Sequence, residues 1–469
     1  MNSDQTMTSR QWIICVATLA GLKLLLLMLD PLPMFFLGDS QTYLGTAVNL
    51  LIPPDRSFVY GFFVRLAAVT TGSLFYLVLL QVIISTASAV ILIFILVRFL
   101  ATRFRTAMPL GVLCAMEPLQ LLYERYVMTE TLSLFIFALY FLGICYYLDN
   151  RSYLRLALVQ IAGTALITVR LSFLPVVICF AVIVPLLPLL KSRPFPVKAL
   201  RIVAAHLAFS LAVTFACHSS YKHLNGFLVK GPAAYQYQSG LFLAADFAPV
   251  LSPVDFPDQR LAPAIFSGLV FDLKDRKARG QQHWMEGGLI ARMNMVIPDL
   301  LKADNAAKTT AVNALKRDPL GIALLALQGF SDYWDPQMLK PSMVTDKGSD
   351  RELPPEMLHS LKTDFNLDAA GLPTMKTITG TYFFAAWPWY LVLLCVPLLA
   401  AFTLVFNKVG RDKVFLILIA TSAVVATASL LIERPTVRYL HPLGWLFFLL
   451  AGPVSNSVAH ILRRKELQR

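Results

Sequence analysis

The residues of this chain best suited to chemistry are carboxylates and guanidiniums standing at the ends of apolar runs. The first is Asp39, in Gly38-Asp39-Ser40-Gln41-Thr42-Tyr43, directly after an apolar run from Trp12 to Leu29. At helical period Asp39, Tyr43 and Ala47 share one face, so the spacing predicts a short helix beside the outer end of a membrane helix. A carboxylate in that place can take a proton from an attacking hydroxyl or amine, or do no more than cap its helix. The block Pro53-Pro54-Asp55-Arg56 and the aromatic run Phe58–Phe63 lie close by and favour the chemical reading.

Two more carboxylates flank an outer turn in Tyr123-Glu124-Arg125-Tyr126-Val127-Met128-Thr129-Glu130. Glu124 has loop solvation as its plain alternative. Glu130 opens an apolar run, where a charge must face a cavity, a partner or the helix N-terminus. Arg438 and Tyr439 begin another span, after Glu433-Arg434-Pro435. The Arg438 guanidinium either snorkels to headgroups or grips a phosphate through its planar fork; Arg170, at a further outer turn, has the same two readings. Lys23, inside the first run, calls for an internal partner or snorkelling, and Glu117 has no evident partner. Asp39, Glu124 and Glu130 would share Mg²⁺ or Mn²⁺ if the fold brings them together; no other cofactor is implied. The tripeptide Gly-Asp-Ser also matches the nucleophile block of GDSL esterases. That chemistry needs a later Asp-x-x-His, and none of the seven histidines has Asp three residues before it. An esterase is excluded.

The elements that must position these groups follow from composition. The chain is 57% hydrophobic and 15% charged, with a mean hydropathy of +0.63, against roughly 45–50% and about 25% in soluble proteins. Runs at 12–29, 73–97, 108–123, 128–148, 154–170, 172–190, 201–218, 383–406, 414–432 and 438–456 predict an all-α polytopic membrane protein of about ten spans. With the N-terminus inside, the clusters Arg98/Arg103/Arg105, Arg151/Arg155, Lys191/Arg193/Lys198, Lys408/Arg411/Lys413 and Arg463-Arg464-Lys465 all fall on the cytoplasmic side. The net charge of +13 therefore describes topology; the segment between His218 and Tyr382 is balanced in charge, which excludes a nucleic-acid partner. The six cysteines lie in or beside apolar runs and read as small core residues. The first run is too long for a cleaved signal and reads as a retained helix.

Three regions result: 1–218, an N-terminal module of about seven spans with the outer loop 30–72; 219–382, a large, mostly helical outer segment; and 383–469, the last spans and a basic tail. Within the outer segment, Asp318-Pro319 predicts an N-cap and first helical position. The apolar stretch to Tyr333 is too short to span and predicts an interfacial helix closed by Tyr333-Trp334. The stretch 340–374, rich in Pro, Asp, Lys and Gly, reads as loop.

Taken together, GDSQTYLGTA after the first run, LLQVIISTASAVILIFILVRF, VMTETL, LITVRLSFLP and ERPTVRYLHPL resemble the GT-C glycosyltransferases, in particular bacterial relatives of protein O-mannosyltransferases and the lipid A aminoarabinose transferase. The resemblance implies a GT-C-like fold in the bacterial inner membrane, with the site facing the periplasm or exterior. It implies transfer of a sugar from a polyprenyl-phosphate donor to a lipid, glycan or protein acceptor, with Asp39 as the catalytic aspartate. Tyr43, Arg56, Glu124, Glu130, Arg170, Arg438 and Tyr439 are then expected to bind substrate. Where many members have Asp-Glu, this chain has Asp39-Ser40. The competing expectations are a lipid-linked glycan flippase or other transporter, which would place broken or polar helices at mid-membrane, and a non-enzymatic scaffold of envelope polysaccharide assembly.

Overall fold

Apolar length and proline placement account for most of the architecture. The computed structural model describes residues 7–191, 197–406 and 410–467, and these are helical with no strand; Met34 and Tyr126 form an isolated parallel bridge. Arg193 and Lys408, and the side chains of Lys191 and Arg463-Arg464-Lys465, lie outside the described residues. Six described helices are long and apolar enough to cross a membrane: Ser9–Leu29, Leu74–Arg98, Glu130–Asp149, Leu171–Leu189, Val197–Val229 and Arg411–Leu430. Trp387–Leu394 and Val396–Phe406 meet the same test together but bend by 47° at their junction. The protein is a helical polytopic membrane protein.

Three expected runs take different shapes. The run 108–123 is divided between the helix Phe104–Ala115 and the short helix Pro118–Tyr123. Pro118 supplies the first helical position and the Glu117 carboxylate accepts the Gln120 N–H at 2.7 Å, so the sequence restarts the helix there. The run 154–170 forms Tyr153–Val169, of 17 residues. The run 201–218 does not stop at His218, because no breaker stands there: the helix continues to Val229, burying His218, Tyr221 and Asn225 at helical spacing. Lys230, in the left-handed region at φ 58°, and Gly231-Pro232 end it.

The segment 219–382 builds its own core. Ala303, Ala307, Ala311 and Ala314 form a small-residue stripe on Leu300–Arg317 that packs against Ser239–Asp246, and the Asp304 carboxylate accepts the Gly240 and Leu241 N–H groups at 2.7 and 3.0 Å. The helix Pro319–Asp332 begins as the sequence predicts, with the Gly321 N–H donating to Asp318 at 2.7 Å. Its end differs. Trp334 is exposed, but Tyr333 is buried, donating to Thr436 O at 3.1 Å and accepting the Thr436 N–H at 3.2 Å, so it anchors the turn 431–436 instead of an interface.

The stretch 340–374 also departs from the loop reading, since helices Pro336–Asp346 and Pro355–Phe365 fall in or across it. Pro336 and Pro355 occupy the first helical positions, where no N–H is needed, and Pro341 is accommodated inside the first of the two helices. Met357, Leu361 and Phe365 share a core with Tyr43, Leu44, Ala47 and Tyr60. The segment 219–382 thereby clamps the helix that carries Asp39.

Candidate functional site

Asp39 is the first residue of the helix Asp39–Asn49, and its side chain makes no cap. Gly38 occupies the cap position at φ 85°, a conformation suited to glycine. The carboxylate is instead held between two guanidiniums: one oxygen pairs with Arg56 Nη1, the other with Arg438 Nη1 at 2.7 Å. Arg56 is itself steadied by Asp55 at 2.7 Å. Ser40 fixes the helix start, its hydroxyl accepting the Phe36 N–H at 2.8 Å and donating to Val127 O at 3.0 Å. Tyr43, one turn on, is buried edge-to-face on Tyr60 with ring centres 4.9 Å apart. Tyr60 donates in turn to Gln81 at 2.9 Å.

The charge chain continues inward. Arg438 Nε donates to Glu130, the first residue of Glu130–Asp149, whose side chain is fully buried. Arg170, at the C-terminal cap of Tyr153–Val169, brings Nη1 to 3.2 Å from the same carboxylate oxygen. The Arg438 guanidinium lies 5.2 Å from the Phe36 ring centre, and Arg170 lies 5.0 Å from that of Tyr439. Arg170 is almost fully buried, yet its Nη2 has no hydrogen-bond partner among the described residues. Asp39, Tyr43, Arg56, Glu130, Arg170, Arg438 and Tyr439 thus converge, although they come from four separate stretches of the chain.

The electrostatics of the site are decided by its arginines. Burial acts to raise the Asp39 pKa, but the Arg438 and Arg56 charges outweigh it and hold the carboxyl below its usual range. Burial acts to discharge Arg438, and Glu130 and Asp39 overcome it, pushing its pKa well above the ordinary value. Burial and the Asp39 charge push the Tyr43 phenol up, so it is a hydrogen-bond donor at neutral pH. Asp39 and Arg438 keep about one-fifth and one-eighth of their side-chain surface open, at 19% and 13%. The charge chain is therefore reachable from the protein surface while its inner end, at Glu130, is sealed.

Glu124 does not join this group. The short helix Pro118–Tyr123 turns it into the interior, where it pairs with Lys23, accepts from Ser85 and lies 3.4 Å from Gln120 Nε2. Both Lys23 and Glu124 have fully buried side chains, so each satisfies the other's charge. Asp39, Glu124 and Glu130 therefore form no shared metal site: Lys23 holds one carboxylate, and the Arg438 guanidinium stands between the other two. Glu117 also finds a partner, accepting from Trp389 Nε1 at 2.9 Å.

One residue at the site escapes sequence reasoning. Asp346, at the end of Pro336–Asp346, is 1% exposed, and neither carboxylate oxygen has a hydrogen-bond partner among the described residues. The nearby Arg434 and Arg438 charges act on it. Nothing local marks it, since it closes a proline-rich stretch.

The site is a cluster in which three guanidiniums, of Arg56, Arg170 and Arg438, meet three carboxylates, of Asp39, Asp55 and Glu130, at or near the ends of apolar helices. No protein-family model, no curated protein and no solved structure matches the chain.

Proposed function

We propose that the protein is a membrane glycosyltransferase of the GT-C kind, with about ten spans. It moves a sugar from a polyprenyl-phosphate donor to a lipid, glycan or protein acceptor on the non-cytoplasmic face. The observation that carries this reading is the Asp39 carboxylate held between Arg56 and Arg438, with Arg438 and Arg170 sharing Glu130 behind it. Arginines at helix ends stand where the phosphate of a lipid-linked donor would lie, and the planar fork suits two phosphate oxygens. The unpartnered Arg170 Nη2 is a buried donor waiting for an acceptor atom.

The chemistry then needs one carboxylate. The acceptor O–H or N–H attacks the anomeric carbon and its proton passes to Asp39. The bond from that carbon to the phosphate oxygen breaks, and the electron pair leaves with polyprenyl phosphate. Attack opposite the leaving group inverts the anomeric centre. The arginines that depress the Asp39 pKa also belong to the donor site. A bound phosphate draws them off and returns basicity to Asp39 when the acceptor arrives.

A specific observation favours a second reading. Lys23, Glu124, Ser85, Gln120 and His441 form a polar path inside the bilayer region, with His441 Nε2 2.9 Å from Gln120 Oε1. Such a path suits a transporter of lipid-linked glycans. Reconstitution in vesicles with polyprenyl-phosphate sugars and an envelope-lipid extract separates the two. Glycosyl transfer releases free polyprenyl phosphate as sugar appears in product. Intact donor crossing between leaflets, with no phosphate lipid released across a panel of sugars, would replace the transferase by the transporter.

A further inference from the structure

We propose that Asp246, His283 and Glu433 form a zinc site that pins the outer segment to the last outer turn. The three residues are far apart in the chain. Asp246 ends the helix Ser239–Asp246, His283 lies in Arg279–Trp284, and Glu433 follows the span Arg411–Leu430. Their ligand atoms nevertheless all lie within 4.8 Å of one another. His283 Nε2 stands 3.1 Å from Asp246 Oδ1. Two donors on one tetrahedral zinc, at about 2.0–2.2 Å from the metal, sit roughly 3.3–3.5 Å apart. The His283–Asp246 spacing is within a few tenths of an ångström of that, and Glu433, within 4.8 Å of both, has to turn inward for its oxygen to join them.

The donor set decides the cation. One imidazole and two carboxylates suit zinc, and these are the ligand types of open three-residue zinc sites. Magnesium prefers oxygen alone and keeps several waters, which a buried His/Asp pair does not favour. Two carboxylates with a neutral imidazole match the divalent charge, and the adjacent Arg279 leaves one positive charge for an anion in the fourth position to meet.

The surroundings are those of a built site. The Phe242 ring lies parallel to the His283 ring, with centres 5.8 Å apart, and orients it. Trp284 Nε1 donates to Glu433 at 3.3 Å, an outer contact of the kind that steadies a ligating carboxylate. Arg279 supplies an independent sign. It is 3% exposed, its Nη2 donates to Leu430 O at 2.9 Å and lies 3.7 Å from Asp246, and its Nε has no partner among the described residues. A buried donor beside a three-ligand metal is suited to a water or anion in the fourth position. The site stands apart from Asp39 and does not depend on the transferase reading. It ties down the turn that leads to Arg438, five residues after Glu433.

The test uses the full chain, purified without a histidine tag, stripped with chelator and returned to Zn²⁺. One zinc per chain by elemental analysis, with a rise in the thermal midpoint on adding zinc alone, is expected. His283→Gln should lower bound zinc from one to none and abolish that rise. Trp284→Phe leaves the three ligands in place and serves as the folded control; it should weaken zinc affinity by about 10- to 100-fold. Substitution by cobalt(II) should give the strong visible absorption of a four-coordinate nitrogen–oxygen site, lost in His283→Gln. Less than stoichiometric zinc in the wild type, or equal zinc in wild type and His283→Gln, would overturn the proposal.

Discussion

Replacing Lys23 by methionine isolates the best-defined interior charge pair. Lys23 and Glu124 have no exposed side-chain surface, and they join the first helix to the turn leading to Glu130. Lys23→Met leaves the Glu124 carboxylate buried with Ser85, Gln120 and the more distant Arg125, whose Nη1 lies 3.5 Å away. Stranding one member of a buried pair costs about 3–5 kcal/mol, or about two to four powers of ten in the folded-to-unfolded ratio. Glu124→Gln in the same chain removes the stranded charge and keeps hydrogen bonding to Ser85 and Gln120. The double variant should therefore be more stable than Lys23→Met by about 2 kcal/mol or more, a coupling expected only of groups in contact. Denaturant unfolding of the purified protein in detergent, followed by helical circular dichroism, reads all four members of the cycle. If Lys23→Met unfolds within about 0.5 kcal/mol of wild type, or the double variant is no more stable than the single one, the pairing is wrong.

Two further outcomes concern the groups around Arg438. Arg438→Ala should weaken binding of a polyprenyl phosphate, measured by competition against labelled donor, while Arg438→Lys recovers only part, because the ammonium lacks the fork; undiminished binding in the alanine variant would remove Arg438 from the donor site. Asp346 gives a pH signature. Burial raises its pKa from 3.8 to about 7, against the opposing pull of the Arg434 and Arg438 charges. The folded state then holds the proton more tightly than the unfolded one. Its contribution is present in full below about pH 4 and is lost as the pH rises through about 7. Asp346→Asn should match wild type near pH 4 and exceed it at pH 8, by at most about 4 kcal/mol. A stability difference that is the same at both pH values would contradict this.

Much of the fold and part of the site were legible in the sequence, for identifiable reasons. Asp39, Glu130, Arg170 and Arg438 each stand at the end of an apolar run, so chain order and hydropathy alone place them at helix ends, and the structure brings them together. Glu124 belongs to the same turn as Glu130, but six residues of helix before it rotate its side chain inward, and spacing carries no such direction. The 340–374 stretch reads as loop because Pro341, inside a helix, and Pro355, at the first position of another, look in composition like prolines in loops. Tyr333 reads as half of an aromatic interface pair until Thr436, about a hundred residues on, takes its hydroxyl. Asp246, His283 and Glu433 have no local spacing to betray them, since only tertiary packing makes them neighbours.

The most direct test of the central claim is transfer by purified Asp39→Asn. Asparagine keeps the size of the side chain but cannot accept a proton, and it remains able to hydrogen-bond near Arg56 and Arg438. Single-turnover transfer from a polyprenyl-phosphate sugar, measured beside donor binding and thermal stability, reads the chemical step alone. The account predicts retained donor binding, unchanged folding and a transfer rate lower by about 10²–10⁴. Transfer at the wild-type rate by a stable, donor-binding Asp39→Asn protein would contradict it and leave Glu130 as the next carboxylate to test.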